Sequence, residues 1–149
     1  MRVLLPINSA QDAKLMIDFV ANYRWIRGTE FKVLHVLGPN DNELHAVEAE
    51  HKAEALVGSI AAKVGSLISG SEVMWEVVPG QPIYEILQAA SQWKATMIVM
   101  GFRTRPTTHP YLAGSVSRGV SMQAPCSVSI IRPPEEYQNP NTQKLEASA

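Results

Sequence analysis

The chain predicts an α/β fold, a Rossmann-like doubly wound parallel sheet of five strands with helices on both faces. Three observations carry this expectation. Short apolar runs rich in β-branched residues recur along the chain, at Arg2 to Ile7, Phe31 to Leu37, Glu72 to Val78, Met97 to Met100 and Cys126 to Ile131. Such runs fit strands covered on both faces. Segments with helical spacing separate them, so strand and helix alternate, which demands a mainly parallel sheet with right-handed crossovers. Finally, 149 residues with 46% hydrophobic and 18% charged residues suit one domain able to bury roughly 68–70% of its unfolded surface.

Each element has its own signal. Val3 to Ile7 reads VLLPI, with Pro6 near the strand end where a missing N–H is tolerated. Asn8 to Asp12 offers cap-favouring side chains, and Leu15, Phe19, Ala21 or Asn22, and Ile26 keep helical spacing until Gly28. After the second strand, Gly38-Pro39-Asn40-Asp41 makes a turn. Ala49, Ala53, Leu56, Ile60, Val64 and Leu67 mark the buried face of a long helix, and Glu43, Glu48, Glu50, Lys52 and Glu54 its solvated face. Pro79-Gly80 closes the third strand, and Pro82 opens a helix whose stripe is Ile83, Ile86, Leu87, Ala90 and Trp93. Glu135 to Ala149 is polar and aperiodic, which reads as a flexible tail over 134–149 following a domain over 1–133.

The segment from Met97 to Ile131 holds the chemistry. Gly101 ends the fourth strand, a loop of twelve residues follows, and Gly114-Ser115-Val116-Ser117 opens a short helix with Ser115 near its N-cap. Free backbone N–H groups at such a start, approached closely beside a glycine, suit a phosphate or another anion. Arg103, Arg105, Arg118 and Arg132 lie in this segment with no Asp or Glu among them. Ligands in doubly wound sheets sit beyond the carboxyl ends of the strands. The loops leaving those ends start at Asn8, at Val36 to Gly38 and at Gly101.

Gly101-x2-Thr104-x9-Gly114-Ser115 has the spacing of the Gly-x2-Gly-x9-Gly-Ser/Thr signature of the universal stress protein family. Val3-Leu4-Leu5-Pro6, Leu34-His35-Val36, Gly80-Gln81-Pro82, Ile98-Val99-Met100-Gly101 and Ala124-Pro125-Cys126 also resemble that family in order and position, over about residues 1 to 133. The resemblance implies a site for ATP, ADP or AMP. Its residues would be Pro6, Asn8 and Val36 around the adenosine, and Gly101, Arg103, Thr104, Gly114, Ser115, Val116 and Ser117 around the phosphates. Mg²⁺ would enter only with the nucleotide. It also implies a homodimer through the last strand, with Val128 and Ile130, and Ile131 beside them, on the pairing edge.

Two positions depart from the family's pattern. Asn8 stands where the family has Asp, which keeps hydrogen bonding but removes the charge. Thr104 replaces the second glycine, at a cost of about 1–3 kcal/mol if that position needs a positive φ. Pro106 and Pro110 stiffen the same spacer, and Thr107, Thr108 and His109 offer side-chain donors and acceptors there. A dimeric stress protein that works by protein contacts, without nucleotide, is therefore the alternative.

Other classes are disfavoured. A net charge of −1 and a pI of about 6.4 point to no nucleic-acid or membrane partner. One cysteine makes no internal disulfide, no apolar run approaches the roughly 18 residues of a membrane span, and no signal peptide is evident, so a cytoplasmic protein is expected. Cys126 reads as an inert packed thiol at the start of a buried strand, and His35 as a satisfied strand histidine. His45 and His51 are six apart, on different helix faces, and no metal site is expected. A helix-start serine is more often a cap or phosphate ligand than a nucleophile. With no Gly-x-Ser-x-Gly elbow and no Walker lysine, no catalytic activity is expected.

Overall fold

The computed structural model describes residues 1–38, 45–102 and 114–132. Its elements are β1 (Arg2–Pro6), α1 (Ala10–Asn22), β2 (Glu30–Leu37), α2 (Ala46–Leu67), β3 (Val73–Pro79), α3 (Pro82–Gln92), β4 (Met97–Gly101), α4 (Ser115–Gln123) and β5 (Ser127–Ile131). All five strands join one parallel sheet in the order β3-β2-β1-β4-β5. The predicted α/β architecture is thus the one observed.

The sheet is apolar on both faces, which is why its central strands read as unbroken hydrophobic runs rather than alternating ones. Val3, Leu5, Phe31, Val33, Met97 and Val99 pack on α1 and α2 through Met16, Val20, Val57, Ile60 and Val64. Leu4, Leu34, Ile98 and Met100 pack on α3 and α4 through Ile86, Ala90 and Val120. Successive residues of one strand feed opposite cores, as a two-residue side-chain period requires.

The start of the chain is tied down as firmly as its middle. Arg2 Nε donates to Glu30 Oε2 at 2.8 Å and Arg2 Nη1 to the Trp93 carbonyl at 3.1 Å. The Arg2 amide donates to Thr96 Oγ1, and the Thr96 amide donates to the Arg2 carbonyl at 2.8 Å. These contacts bind β1 to the start of β2 and to the segment that precedes β4.

Several expectations are corrected. The first helix ends at Asn22 rather than running to Gly28, because Phe19, Tyr23 and Trp25 gather into an aromatic cluster that turns the chain back toward Phe31. Its buried stripe is Ala13, Met16 and Val20; Ala21 and Asn22 are exposed, and Ile26 is 64% exposed. On α2, Ala53, Ile60 and Val64 are buried as expected and are joined by Val57 and Ala61, whereas Leu67 is exposed at the last turn. Cys126 lies one residue before β5 and is half-buried; β5 is an edge strand whose residues are half-buried or exposed, not a buried one. Pro39 to Glu43, the spacer from Arg103 to Pro110 and the tail from Glu135 lie outside the described residues.

Candidate functional site at the switch in strand order

The sheet turns its winding between β1 and β4. These neighbours share only two register pairs, Val3 with Met97 and Leu4 with Ile98, whereas β1 and β2 pair over five. Past Leu4 and Ile98 no further β1–β4 register pair forms, and in doubly wound folds the crevice beside such a switch, at the carboxyl ends of the strands, is the usual ligand position.

On the β1 side, Pro6 ends the strand opposite Leu34, and the Ile7 amide donates to the Leu34 carbonyl at 2.8 Å. His35 Nδ1 lies 2.8 Å from the Ile7 carbonyl, so this histidine serves the backbone of the strand end. Ser9 caps α1 by accepting from the Asp12 amide, and the Asp12 carboxylate accepts from the amide of the exposed Asn8, both at 3.3 Å. These two bonds, a variant of the capping box in which Asp12 reaches the amide before the cap residue, stiffen the loop. Val36, in β2, is half-buried and packs on the α3/α4 core.

On the β4 side, two glycines differ in why they are glycine. A Cβ on Gly101 would meet Asp12 Oδ1 at 3.5 Å, Leu15 Cδ2 at 3.6 Å and Met16 Cε at 3.9 Å, all ordinary contacts. No described neighbour requires glycine there. Gly114, the N-cap of α4, is buried with φ +72° and ψ 23°, and a Cβ there would collide with the Phe102 ring. The fold itself demands glycine at 114.

Among the described residues no side chain caps the start of α4 or of α2, whereas Ser9 and Gln81 cap α1 and α3. Ser115 is exposed, and Val116 is half-buried against the α3/α4 core. Ser117 is 2% exposed and its hydroxyl donates to the Gly114 carbonyl at 3.0 Å, so it serves the helix turn. Arg103 and Thr104 lie outside the described residues. Thus Pro6, Asn8, Gly101, Gly114 and Ser115 stand at one end of the sheet, with Val36 near the end of β2. Asp12 and Phe102 were not singled out from the sequence. Asp12 read only as a cap, and Phe102 acts through a contact twelve residues away.

Among the described residues no group of three His, Cys, Asp or Glu side chains is placed to hold a metal, and no helix is long and apolar enough to cross a membrane. Burial pushes the Cys126 thiol pKa above its ordinary value.

Strand order and winding define a doubly wound α/β domain, a class that takes ligands at its strand ends. The model of the universal stress protein family matches residues 1–132, and the chain belongs to that family. None of the curated proteins matches it in sequence. Among solved structures it is similar to the universal stress protein UspA from Lactobacillus plantarum, with 24% identity, 89% of this chain and 97% of that one covered, and a TM-score of 0.68. It is also similar to a universal stress protein from Archaeoglobus fulgidus in complex with dAMP, with 23% identity, 88% and 97% coverage and a TM-score of 0.64. A third, a universal stress protein in complex with cAMP, shares 15% identity over 89% and 96% of the two chains at a TM-score of 0.66. These likenesses speak for the fold.

Proposed function

We propose that this universal stress protein is a non-enzymatic regulatory protein of the stress response that binds an adenine nucleotide, ATP, ADP or AMP, in the crevice between the ends of β1 and β4. The observation that carries the reading is Gly101. It stands at the mouth of the crevice, and no described neighbour accounts for its lack of a side chain, whereas a ligand approaching the backbone closely would. The start of α4, which no described side chain caps, supports an anion there. The dAMP and cAMP complexes of two family members agree with the ligand class. Asn8 and the backbone near Val36 would hold the adenosine, and Gly101, Arg103, Thr104 and Ser115 the phosphates, with Mg²⁺ entering only with the nucleotide. The protein would act in the cytoplasm as a homodimer paired along the edge strand β5 through Val128 and Ile130.

A second reading, a dimer that works by protein contacts without nucleotide, is favoured by Gly114. Because its left-handed backbone and the Phe102 ring together demand that glycine, its presence is no sign of a ligand. Calorimetric titration with ATP and AMP in Mg²⁺, on the native sequence and on Thr104→Gly, separates the two. Saturable binding at one site per chain in the native protein supports the nucleotide reading. Silence in the native protein with binding by Thr104→Gly makes the second reading the better one. The mass in solution at micromolar concentration tests the dimer, and Ile130→Lys should give the monomer.

A further inference from the structure

The aromatic ring that closes over Gly114 also touches a cation. Phe102 follows Gly101 directly, and its amide donates to the Ile131 carbonyl at 2.9 Å, so its backbone is held between β4 and the end of β5. Its ring edge fills the space a Cβ on Gly114 would need. Over the same ring lies the guanidinium of Arg132, with Cζ 3.9 Å from the centroid. One side chain thus touches both the start of α4 and an arginine at the end of β5.

This stacking matters for what the arginine can still do. A guanidinium lying over a ring spends its face on the π system and keeps its N–H donors, which point outward in its own plane, for other partners. Among the described residues no carboxylate forms an ion pair with Arg132. No residue from Ala95 to Arg132 is acidic.

We propose that Arg132, oriented by Phe102, is an anion-binding residue of the nucleotide crevice and biases it toward nucleotides with more than one phosphate. The inference rests on the nucleotide reading above. The backbone at Gly114-Ser115 suits one phosphate, and a forked cation stacked on the ring that packs against Gly114 suits a second. A nucleoside without phosphate has nothing to offer that cation. Arg132 therefore sets preference among adenine ligands, while adenosine contacts are made elsewhere in the crevice.

The test is titration of the full chain with ATP, AMP and adenosine, at low and at moderate salt, for the native protein, Arg132→Gln and Arg132→Lys. Arg132→Gln should lower ATP affinity about tenfold, leave adenosine unchanged and flatten the salt dependence of ATP binding. Arg132→Lys should recover part of the loss, because it keeps the charge and gives up the fork. Adenosine binding doubles as a control for folding. An ATP-to-adenosine affinity ratio that Arg132→Gln leaves unchanged overturns this proposal and spares the nucleotide reading. A native protein that binds none of the three ligands overturns both.

Discussion

The two walls of the crevice are built on opposite principles. The β1 wall is held by a backbone loop that caps itself through Ser9 and Asp12, presents an exposed Asn8 and carries a carboxylate. The β4 wall is held by a ring, Phe102, wedged between a glycine it makes obligatory and an arginine it supports. The β1 wall tolerates changes of side chain at its tip, because what it offers there is exposed. The β4 wall couples its parts, so a change at Gly114 is a change in packing before it is a change in binding. A glycine in a binding signature therefore has to be asked which neighbour needs it, and Gly101 and Gly114 answer differently.

The sharpest way to break this contrast is Gly114→Ala. The substitution should destabilise the fold by about 2–4 kcal/mol, the sum of left-handed strain and overpacking against Phe102. Urea unfolding measures it, and in a Phe102→Ala background the added cost should shrink to about 1 kcal/mol, the backbone part alone. A cost below that figure in the native background would remove the wedge from the account.

Gly101→Ala should do the reverse. Its stability should stay within about 1 kcal/mol of the native chain, while affinity for AMP falls about tenfold. Full retention of affinity would mean that the glycine is not there for a ligand.

A smaller effect is expected on the other wall. Asn8→Asp supplies an ionised acceptor for ribose hydroxyls, and adenosine should bind about threefold more tightly, less than an isolated charge-assisted bond would yield because the Asp12 carboxylate is close by. Calorimetry with adenosine checks this, and weaker binding would place the base and sugar elsewhere.

The smallest effect lies away from both walls, at Cys126. Burial raises its pKa, so its folded-state value exceeds the unfolded one. The stabilisation it brings is fully present below the unfolded thiol pKa, about 8.5, and is lost as pH rises through the higher folded value. Alkylation by iodoacetamide should accordingly rise with pH later in the folded chain than in urea. Coincident profiles would show that the thiol is not desolvated.

The sheet was legible in the sequence to within a residue or two at most strand ends, because buried parallel strands leave unmistakable apolar runs between helical segments. The first helix was less so. Leu15, Phe19 and Ile26 satisfy a helical period as well as Ala13, Met16 and Val20 do, and only the aromatic cluster after Asn22 decides between them. Small residues such as Ala13 and Ala61 were passed over because their burial depends on how closely two elements approach, which no local pattern records. At the candidate site, spacing alone located Gly101, Gly114 and Ser115, whereas the reason for Gly114 rests in a ring across a loop. Thr104, where the signature breaks, lies outside the described residues.

The strand order has a consequence for how the chain is made. β1 is emitted first yet ends in the middle of the sheet, with β2 on one side and β4 on the other. A growing chain can pair β1, β2 and β3 as soon as Pro79 has emerged, but the other edge of β1 waits for β4. Until then an apolar strand edge is open to other nascent chains, the state in which parallel folds aggregate. Arg2 meets Glu30 as soon as β2 is in place, but its bonds to Trp93 and Thr96 form only when β4 is about to emerge. The ligand crevice, formed between the strand made first and a strand made late, is on this topology one of the final parts of the molecule to exist.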